Sequence, residues 1–161
     1  MTYSYHLSSP VGALRLVADD QGLREVSFAE EDLPREPAEP PTPLLAQAAE
    51  QINEYLAGKR HAFELPLAPV GTPFQQRVWA ELRRIPYGQT VTYATLARRI
   101  GDALAVRAVG RANGANPLAI VLPCHRVVGT GGHLTGFSGG LARKQWLLRH
   151  EGREAGQGEL F

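Results

Sequence analysis

The sequence contains little cysteine and no long apolar run. Cys124 is the one cysteine among 161 residues, which excludes an internal disulfide and a zinc site with several thiolate ligands. No stretch approaches the ~18 consecutive apolar residues of a membrane-spanning helix, and the N-terminus lacks the basic region and apolar run of a signal peptide. We therefore expect a cytoplasmic protein with no membrane segment, no metal and no other cofactor. The lone thiol is either an inert core residue or a reactive group.

Charges of the two signs are separated along the chain. Residues 1–70 carry 5 Lys and Arg against 11 Asp and Glu, whereas residues 71–161 carry 12 against 5. Arginine supplies 11 of those 12 cations, and its planar guanidinium matches phosphate. The second half therefore suggests a polyanionic partner, with nucleic acid as the first candidate and a solvated basic face as the alternative.

The acidic half has the pattern of a small sheet and one helix. Alternating apolar and polar residues over 12–18 and 23–28 predict a β-hairpin. Five prolines within residues 30–43 predict a linker, because proline neither donates to a β-ladder nor continues a helix. A Thr-Pro pair then predicts the start of a helix over residues 43–57. A short extended run at 61–65 predicts a further strand.

The basic half begins with a series of helices. Apolar residues at helical spacing predict one helix over 73–85, and two shorter helices over 93–100 and 103–112 flank a glycine-bearing turn. This pair resembles a helix-turn-helix, although ordinary helical hairpins have the same pattern. Gly110 lowers helix propensity within the last helix, which favours either close packing against another helix or close approach of a different surface.

The cysteine follows a predicted buried strand at 118–122. In a continuing strand, Cys124 and His125 would point to opposite faces, so proton transfer between them needs a turn after Pro123 or an intervening water. Because His125 and Arg126 are neighbours, we expect an electropositive setting that favours the thiolate. The alternative is a buried cysteine with a chance neighbouring histidine.

Two segments close the second half. The glycine-rich residues 129–140 lack the Lys-Ser/Thr ending of a phosphate-binding loop. This segment is either a surface loop or a segment whose backbone surrounds a planar ligand. A final helix is predicted over 141–152, with Leu141 and Leu148 on its buried stripe. Glu151 lies at the C-terminal end, where the helix dipole disfavours an acid, so we expect a partner such as a histidine.

Five short motifs occur in order, at consistent spacing, within residues 72–152. They are Arg107-Ala-Val-Gly, Asn116-Pro117, Pro123-Cys124-His125-Arg126-Val127, Ser138-Gly-Gly-Leu and Leu147-Leu-Arg-His-Glu151-Gly. Together they resemble the methylated-DNA–protein-cysteine methyltransferases, or 6-O-alkylguanine-DNA alkyltransferases. The resemblance implies an α+β fold with a ribonuclease-H-like domain over 1–70, and a winged-helix-like domain for DNA binding and alkyl transfer over 71–152. Some members bind zinc in the first domain, which has no cysteine here.

The family resemblance implies repair by direct reversal of DNA damage. An alkyl group would pass from 6-O-alkylguanine, and less well from 4-O-alkylthymine, to Cys124 in one irreversible turnover. The partner would be double-stranded DNA, bound by a monomer through the minor groove with the damaged base flipped out. Two alternatives stay open: a noncatalytic protein that binds alkylated DNA on the same fold, and a cysteine hydrolase that uses Cys124, His125 and Glu151.

The resemblance also assigns roles to individual residues. Cys124 would accept the alkyl group, His125 would act as a base through a water, and Glu151 would orient His125. Asn116 would join these groups by hydrogen bonds, and Tyr93 would contact the flipped base.

Further residues would form the DNA surface and the base pocket. Arg107 would fill the space that the flipped base leaves. The DNA-contacting residues would be Thr92, Tyr93, Arg107, Ala108 and Arg111. The base pocket would consist of Cys124, Val127, Phe137 and Ser138, with Phe137 standing where several relatives have tyrosine.

Residues 153–161 lie beyond these motifs and predict a flexible tail. The spacing of Gln157, Leu160 and Phe161 resembles that of bacterial peptides that bind a sliding clamp. The alternative is that Leu160 and Phe161 fold back onto the domain.

Overall fold

The computed structural model of the protein describes residues 1–29, 41–137 and 139–154. Most of the predicted linker at 30–43 lies outside these residues, as do Ser138 and the part of the tail that carries Gln157, Leu160 and Phe161. No helix of the described part of the chain is long and apolar enough to cross a membrane.

The chain divides into two compact units. The first comprises residues 1–70 together with 117–121, and the second comprises 71–116 and the residues from Leu122 onward. Strands and helices occur in both units, which confirms the α+β class.

The first unit contains an antiparallel sheet of three strands in the order β1-β2-β3. The strands are β1 (Tyr3–Leu7), β2 (Leu14–Asp19) and β3 (Gly22–Phe28). The predicted hairpin of β2 and β3 is confirmed, and Leu16 lies opposite both Tyr5 and Val26. Strand β1 was not predicted, because its alternation of aromatic or apolar residues with polar ones covers only five residues.

Helix α1 (Pro43–Leu56) follows the sequence prediction. The Thr42 hydroxyl accepts a hydrogen bond from the Leu45 amide at 3.3 Å, and proline occupies the first turn, where its missing N–H is not needed. The helix buries one stripe of mostly apolar side chains: Leu45, Ala48, Ala49, Gln51, Ile52, Tyr55 and Leu56.

Two predicted strands are absent. Residues 61–65 form no strand, and the chain instead makes an isolated parallel bridge between Leu67 and Leu23. The run at 118–122 is buried as expected but turns sharply, with Ile120 at φ 71°. A buried apolar run of five residues does not by itself distinguish a strand from a turn.

The second unit is mainly helical. Its helices are α2 (Pro73–Leu82), α3 (Tyr93–Arg99), α4 (Val106–Gly114) and α5 (Leu141–Glu154). The predicted series of helices is confirmed with shifted ends. Helix α4 begins three residues late, because the Ala105 amide donates to the Asp102 carbonyl in a turn. Helix α2 stops at Leu82, and Ile85 lies in the turn beyond it.

The buried face of α5 differs from the predicted stripe. Leu141 is 48% exposed, whereas Lys144, Leu147, Leu148 and Glu151 are all buried. Their spacing places all four on one face of the helix. Two charged side chains, Lys144 and Glu151, therefore lie on the buried face, where the sequence analysis placed leucines.

A short parallel ladder positions the segment that follows Cys124. Strand β4 (Val91–Thr92) pairs with β5 (Val127–Val128), and α3 begins directly after β4. Residues 124–126 form a single 3₁₀ turn before β5. The chain therefore turns after Pro123, which is one of the two alternatives that would allow proton transfer between Cys124 and His125.

Candidate active site

Glu151 is the centre of a buried polar cluster. Its carboxylate lies 2.6 Å from His125 Nε2, and Arg126 donates to both oxygens at 2.8 and 3.0 Å. The Gly88 amide donates to the same group at 3.3 Å, and Arg126 also donates to the Ile85 carbonyl at 2.7 Å. The predicted histidine partner of Glu151 is confirmed, and Arg126 is an additional partner.

The contacts of Glu151 keep it ionised. Burial alone raises the pKa of this carboxyl, but the hydrogen bonds from His125 and Arg126 and the charge of the guanidinium outweigh burial and hold the pKa well below its usual range. An ionised carboxylate only accepts hydrogen bonds, so His125 Nε2 must be the protonated, donating nitrogen.

His125 is consequently a neutral imidazole with a free lone pair. Burial lowers its pKa, and the opposing attraction of Glu151 does not compensate. Because Nε2 carries the hydrogen, Nδ1 is the basic atom. Nδ1 is buried and has no hydrogen-bond partner among the described residues.

Cys124 lies at the start of the 3₁₀ turn and is 4% exposed. Asn113 donates to the Cys124 carbonyl at 3.3 Å. Asn116 donates to the Leu122 carbonyl at 2.8 Å and to the Cys124 thiol. Two amide side chains at the end of α4 and just beyond it therefore fix the backbone and the sulfur of the only cysteine.

The expectation of a resting thiolate is wrong. Burial raises the pKa of the Cys124 thiol, and the opposing effects of Asn116 and Lys144 are smaller. The charge of Arg126 is engaged by Glu151 instead. Cys124 is therefore a protonated thiol at neutral pH and needs a base to become a nucleophile.

A cleft of about 620 Å³ lies beside helix α4. Its lining residues are Tyr93, Arg107, Gly110, Arg111, Gly114, Thr135, Gly136 and Phe137. Four residues predicted for DNA or base contact are thus brought together, and Arg107 and Arg111 are exposed. Cys124 is not among the lining residues that the structure describes.

The other predicted contact residues have less open positions. The Thr92 hydroxyl accepts from the Thr95 amide at 3.1 Å and caps α3, and Ala108 is partly exposed on α4. Val127 is fully buried in β5. Ser138 lies outside the described residues.

Gly110 has no steric reason to be glycine. A Cβ at this position would lie 3.9 and 4.0 Å from the Tyr93 ring, an ordinary contact, and at Gly114 it would meet nothing within 4 Å. Close packing against another helix is therefore not the explanation. Both glycines instead leave the α4 backbone accessible from the cleft.

Three residues of the site were not among the predicted site residues. Arg126 and Asn113 hold Glu151 and the Cys124 backbone, and Lys144 is buried and donates to the Thr135 carbonyl beside the cleft. Arg126 stands within the quoted motif, but a sequence motif does not show which carboxylate it pairs with. In the described part of the chain, no group of three or more His, Cys, Asp or Glu side chains is placed to hold a metal ion.

A helical unit with one buried cysteine next to a His-Glu-Arg cluster and a basic cleft defines a cysteine-dependent protein with a polyanion-binding face. Two family profiles match the chain: the ribonuclease-like domain of 6-O-methylguanine DNA methyltransferase over residues 1–69, and the DNA binding domain of the same proteins over residues 73–153. The chain belongs to the 6-O-methylguanine DNA methyltransferase family. The resemblance stated from the motifs is confirmed.

Individual relatives agree with this assignment over nearly the whole chain. The methylated-DNA–protein-cysteine methyltransferase of Methanosarcina acetivorans is 44% identical over 148 residues, covering 89% of this chain and 94% of that protein. The O6-methylguanine methyltransferase of Mycobacterium tuberculosis superposes with a TM-score of 0.85 at 42% identity, covering 96% and 94% of the two chains. The OGT protein of that organism in complex with DNA superposes with a TM-score of 0.83 at 42% identity, covering 92% of each chain.

Proposed function

We propose that this protein repairs DNA by transferring the alkyl group of 6-O-alkylguanine, and less well that of 4-O-alkylthymine, to Cys124. The observation that carries the proposal is the single cysteine of the chain, held beside a His125–Glu151 pair of 2.6 Å in a member of this family. The enzyme is a DNA alkyltransferase, and each molecule is inactivated by a single transfer.

The first step activates the thiol. A water joins Cys124 Sγ to His125 Nδ1, the buried basic atom without a described partner, and carries the thiol proton to it. The resulting imidazolium is stabilised by the Glu151 carboxylate at 2.6 Å. Arg126 binds both oxygens of Glu151, which keeps the carboxylate ionised and oriented throughout.

The second step moves the alkyl group. The Cys124 thiolate attacks the alkyl carbon in line, a sulfur–carbon bond forms, and the carbon–oxygen bond to the base breaks. The electron pair of the broken carbon–oxygen bond passes to the guanine ring, which takes up a proton. Unmodified guanine therefore remains in the DNA strand. The product is a thioether, and the sequence contains no second thiol to take the alkyl group from Cys124.

The damaged base must leave the duplex to reach a buried sulfur. Base flipping from the minor groove meets this need, since Cys124 is only 4% exposed. Tyr93 and Phe137 line the cleft and would hold the base there, with the backbones of Cys124, Val127 and Ser138 reading its edge. Arg107 would occupy the stack, and Thr92, Ala108 and Arg111 would contact the adjacent DNA.

A measurement of stoichiometry tests this function. Duplex DNA with one 6-O-methylguanine per molecule is mixed with the protein at a tenfold molar excess of DNA over protein, and repaired guanine is counted over time. We expect repair to stop at one equivalent per protein, because the thioether is stable. Continued turnover would favour a hydrolase-type mechanism, and absence of repair with tight lesion binding would favour a noncatalytic binder.

Arg107→Ala should slow repair of duplex DNA far more than reaction with the free 6-O-methylguanine base. Arg107 is exposed beside the cleft, and its proposed role is to fill the vacated stack, which the free base does not require. The measurement is the pair of second-order rates. Arg15→Ala, which removes another exposed arginine from β2 of the first unit, is the control. Equal slowing of both reactions by Arg107→Ala would assign it a different role.

Further proposals concern partners and location. We expect a monomer in the cytoplasm that binds double-stranded DNA. The sliding-clamp tether through Gln157, Leu160 and Phe161 stays a prediction from the sequence, because those residues lie outside the described ones.

A further inference from the structure

A leucine of the second unit lies almost wholly in water. Leu104 is 98% exposed, the highest value among the large apolar side chains of the part of the chain that the structure describes. Its neighbours Ala103 and Val106 are exposed as well, and we call residues 103–106 the apolar turn. Single exposed apolar residues are normal on protein surfaces, so the position of this group in the fold decides whether it has a function.

Hydrogen bonds hold the backbone of the apolar turn in place. The turn connects α3 to α4, and the Ala105 amide donates to the Asp102 carbonyl at 3.0 Å. The Asp102 amide in turn donates to the Ala97 carbonyl of α3 at 3.0 Å. Leu104 is therefore presented to solvent on an ordered backbone, and a partner that binds it has little backbone freedom to remove.

Arginines border the apolar turn on both sides along the chain. Arg98 and Arg99 end α3, Arg107 and Arg111 follow on α4, and all four are exposed. The Cα atoms of Leu104 and Arg107 are three residues apart and hence at most about 11 Å from each other, which is about three base-pair steps of DNA. A polyanion that binds these arginines therefore comes within reach of Leu104.

We propose that Leu104 is a DNA-contacting residue that packs against the deoxyribose wall of the minor groove, next to the position that Arg107 fills. This inference rests on the proposed function, in which α4 faces that groove. The groove has phosphates along both edges and sugars on its walls, so an apolar tip bordered by arginines matches its chemistry. Proteins that bind the minor groove frequently insert an apolar side chain in this way.

An apolar contact with DNA differs from an ionic one in its dependence on salt. Each phosphate that an arginine neutralises releases counterions, so losing the contact reduces the slope of log K against log salt concentration by about one. Burial of leucine surface releases no counterion. Leu104 should therefore contribute a part of the DNA affinity that persists at high salt.

Leu104→Ala tests the proposal by fluorescence anisotropy with unmodified duplex DNA over a series of salt concentrations. We expect the affinity to fall at least about fivefold at every salt concentration with the slope unchanged, because buried apolar area is lost and no phosphate contact is. Arg111→Ala, in contrast, should reduce the slope. Leu104→Met keeps an apolar side chain of similar size and should stay within about twofold of the wild type. Val70→Ala shortens another exposed apolar residue, in the first unit, and should match the wild type.

Two further measurements separate DNA contact from folding and from chemistry. Urea unfolding should give the same stability for Leu104→Ala and the wild type, because the side chain is exposed in the free protein. The rate with free 6-O-methylguanine base should also be unchanged. The rate of duplex repair at subsaturating DNA should fall in proportion to the affinity.

The outcomes distinguish this inference from the proposed function. If the wild type binds duplex DNA and accepts no alkyl group, the proposed function fails, while the binding series still decides the role of Leu104. An affinity of Leu104→Ala equal to that of Val70→Ala would overturn the inference. A loss of affinity that disappears at high salt would also overturn it, because the effect would then belong to ionic contacts. A changed sedimentation coefficient with unchanged DNA affinity would make the apolar turn an interface between copies of this chain instead.

Discussion

Cys124→Ala will abolish alkyl transfer and leave the affinity for DNA within about twofold of the wild type. Cys124 carries the only thiol in the chain, and the proposed displacement needs a thiolate, so no residual transfer is expected. In the proposed function, DNA affinity rests on exposed arginines and the accessible backbone of α4 along the cleft, whose described lining does not include Cys124. Affinity is measured by fluorescence anisotropy at one fixed salt concentration, and transfer by counting repaired guanine.

The exposed side of α4 supplies a control for this prediction. Arg111→Ala should weaken DNA binding and reduce its salt dependence while the isolated base still reacts at the wild-type rate. If Cys124→Ala instead lost DNA affinity to the same degree as it lost transfer, the thiol would belong to the binding surface and the assignment of roles would be wrong.

Glu151→Gln will produce the largest loss of stability among single substitutions in the site. The carboxylate is fully buried and balances the Arg126 guanidinium, which is itself 6% exposed. Removing one partner of a buried ion pair leaves the other charge uncompensated, which typically costs about 3–5 kcal/mol. Glu54→Gln breaks the partly exposed pair with Arg60 and should cost no more than about 1 kcal/mol. Both values come from urea unfolding.

The same carboxylate predicts how stability depends on pH. Because the pKa of Glu151 is lowered in the folded protein, its contribution is fully present above the unfolded pKa of an ordinary glutamate. The contribution is lost as pH falls below that range towards the folded pKa. Wild-type stability should therefore decline on the acid side more steeply than that of Glu151→Gln.

Two results would contradict this account of Glu151. One is a Glu151→Gln variant as stable as Glu54→Gln. The other is a parallel acid decline in wild type and Glu151→Gln. A double variant, Glu151→Gln with Arg126→Met, separates the causes, because removing the orphaned charge should recover part of the lost stability. Glu151→Gln should also lower the rate of thiol alkylation near neutral pH by weakening His125 as a base.

Local signals in the sequence were sufficient for most elements of the fold. The Thr-Pro pair predicted the start of α1, the spacing of apolar residues predicted α2, and the glycine turn predicted the break between α3 and α4. The buried run at 118–122 was misassigned, because hydrophobicity reports burial and not the backbone turn at Ile120. Strand β1 alternates over only five residues, which is a weak signal without its partner β2.

The sequence indicated which side chains lie near Cys124 better than it indicated their charges and protonation states. The unfavourable position of Glu151 at a helix end correctly indicated a histidine partner. The neighbouring Arg126 suggested an activated thiolate, yet the fold directs its guanidinium to Glu151 and leaves the thiol protonated. The burial of Lys144 was not predicted, because the expected stripe of α5 ran through Leu141 and Leu148.

Peptide mass spectrometry after reaction locates the alkyl group. The full chain is mixed with an excess of duplex DNA that carries 6-O-methylguanine, then digested with trypsin. The account predicts one added methyl group per protein, on the sulfur of Cys124 within the peptide 112–126, with a matching equivalent of unmodified guanine in the DNA. A methyl group on any other residue, or repaired DNA with an unmodified Cys124, would contradict it.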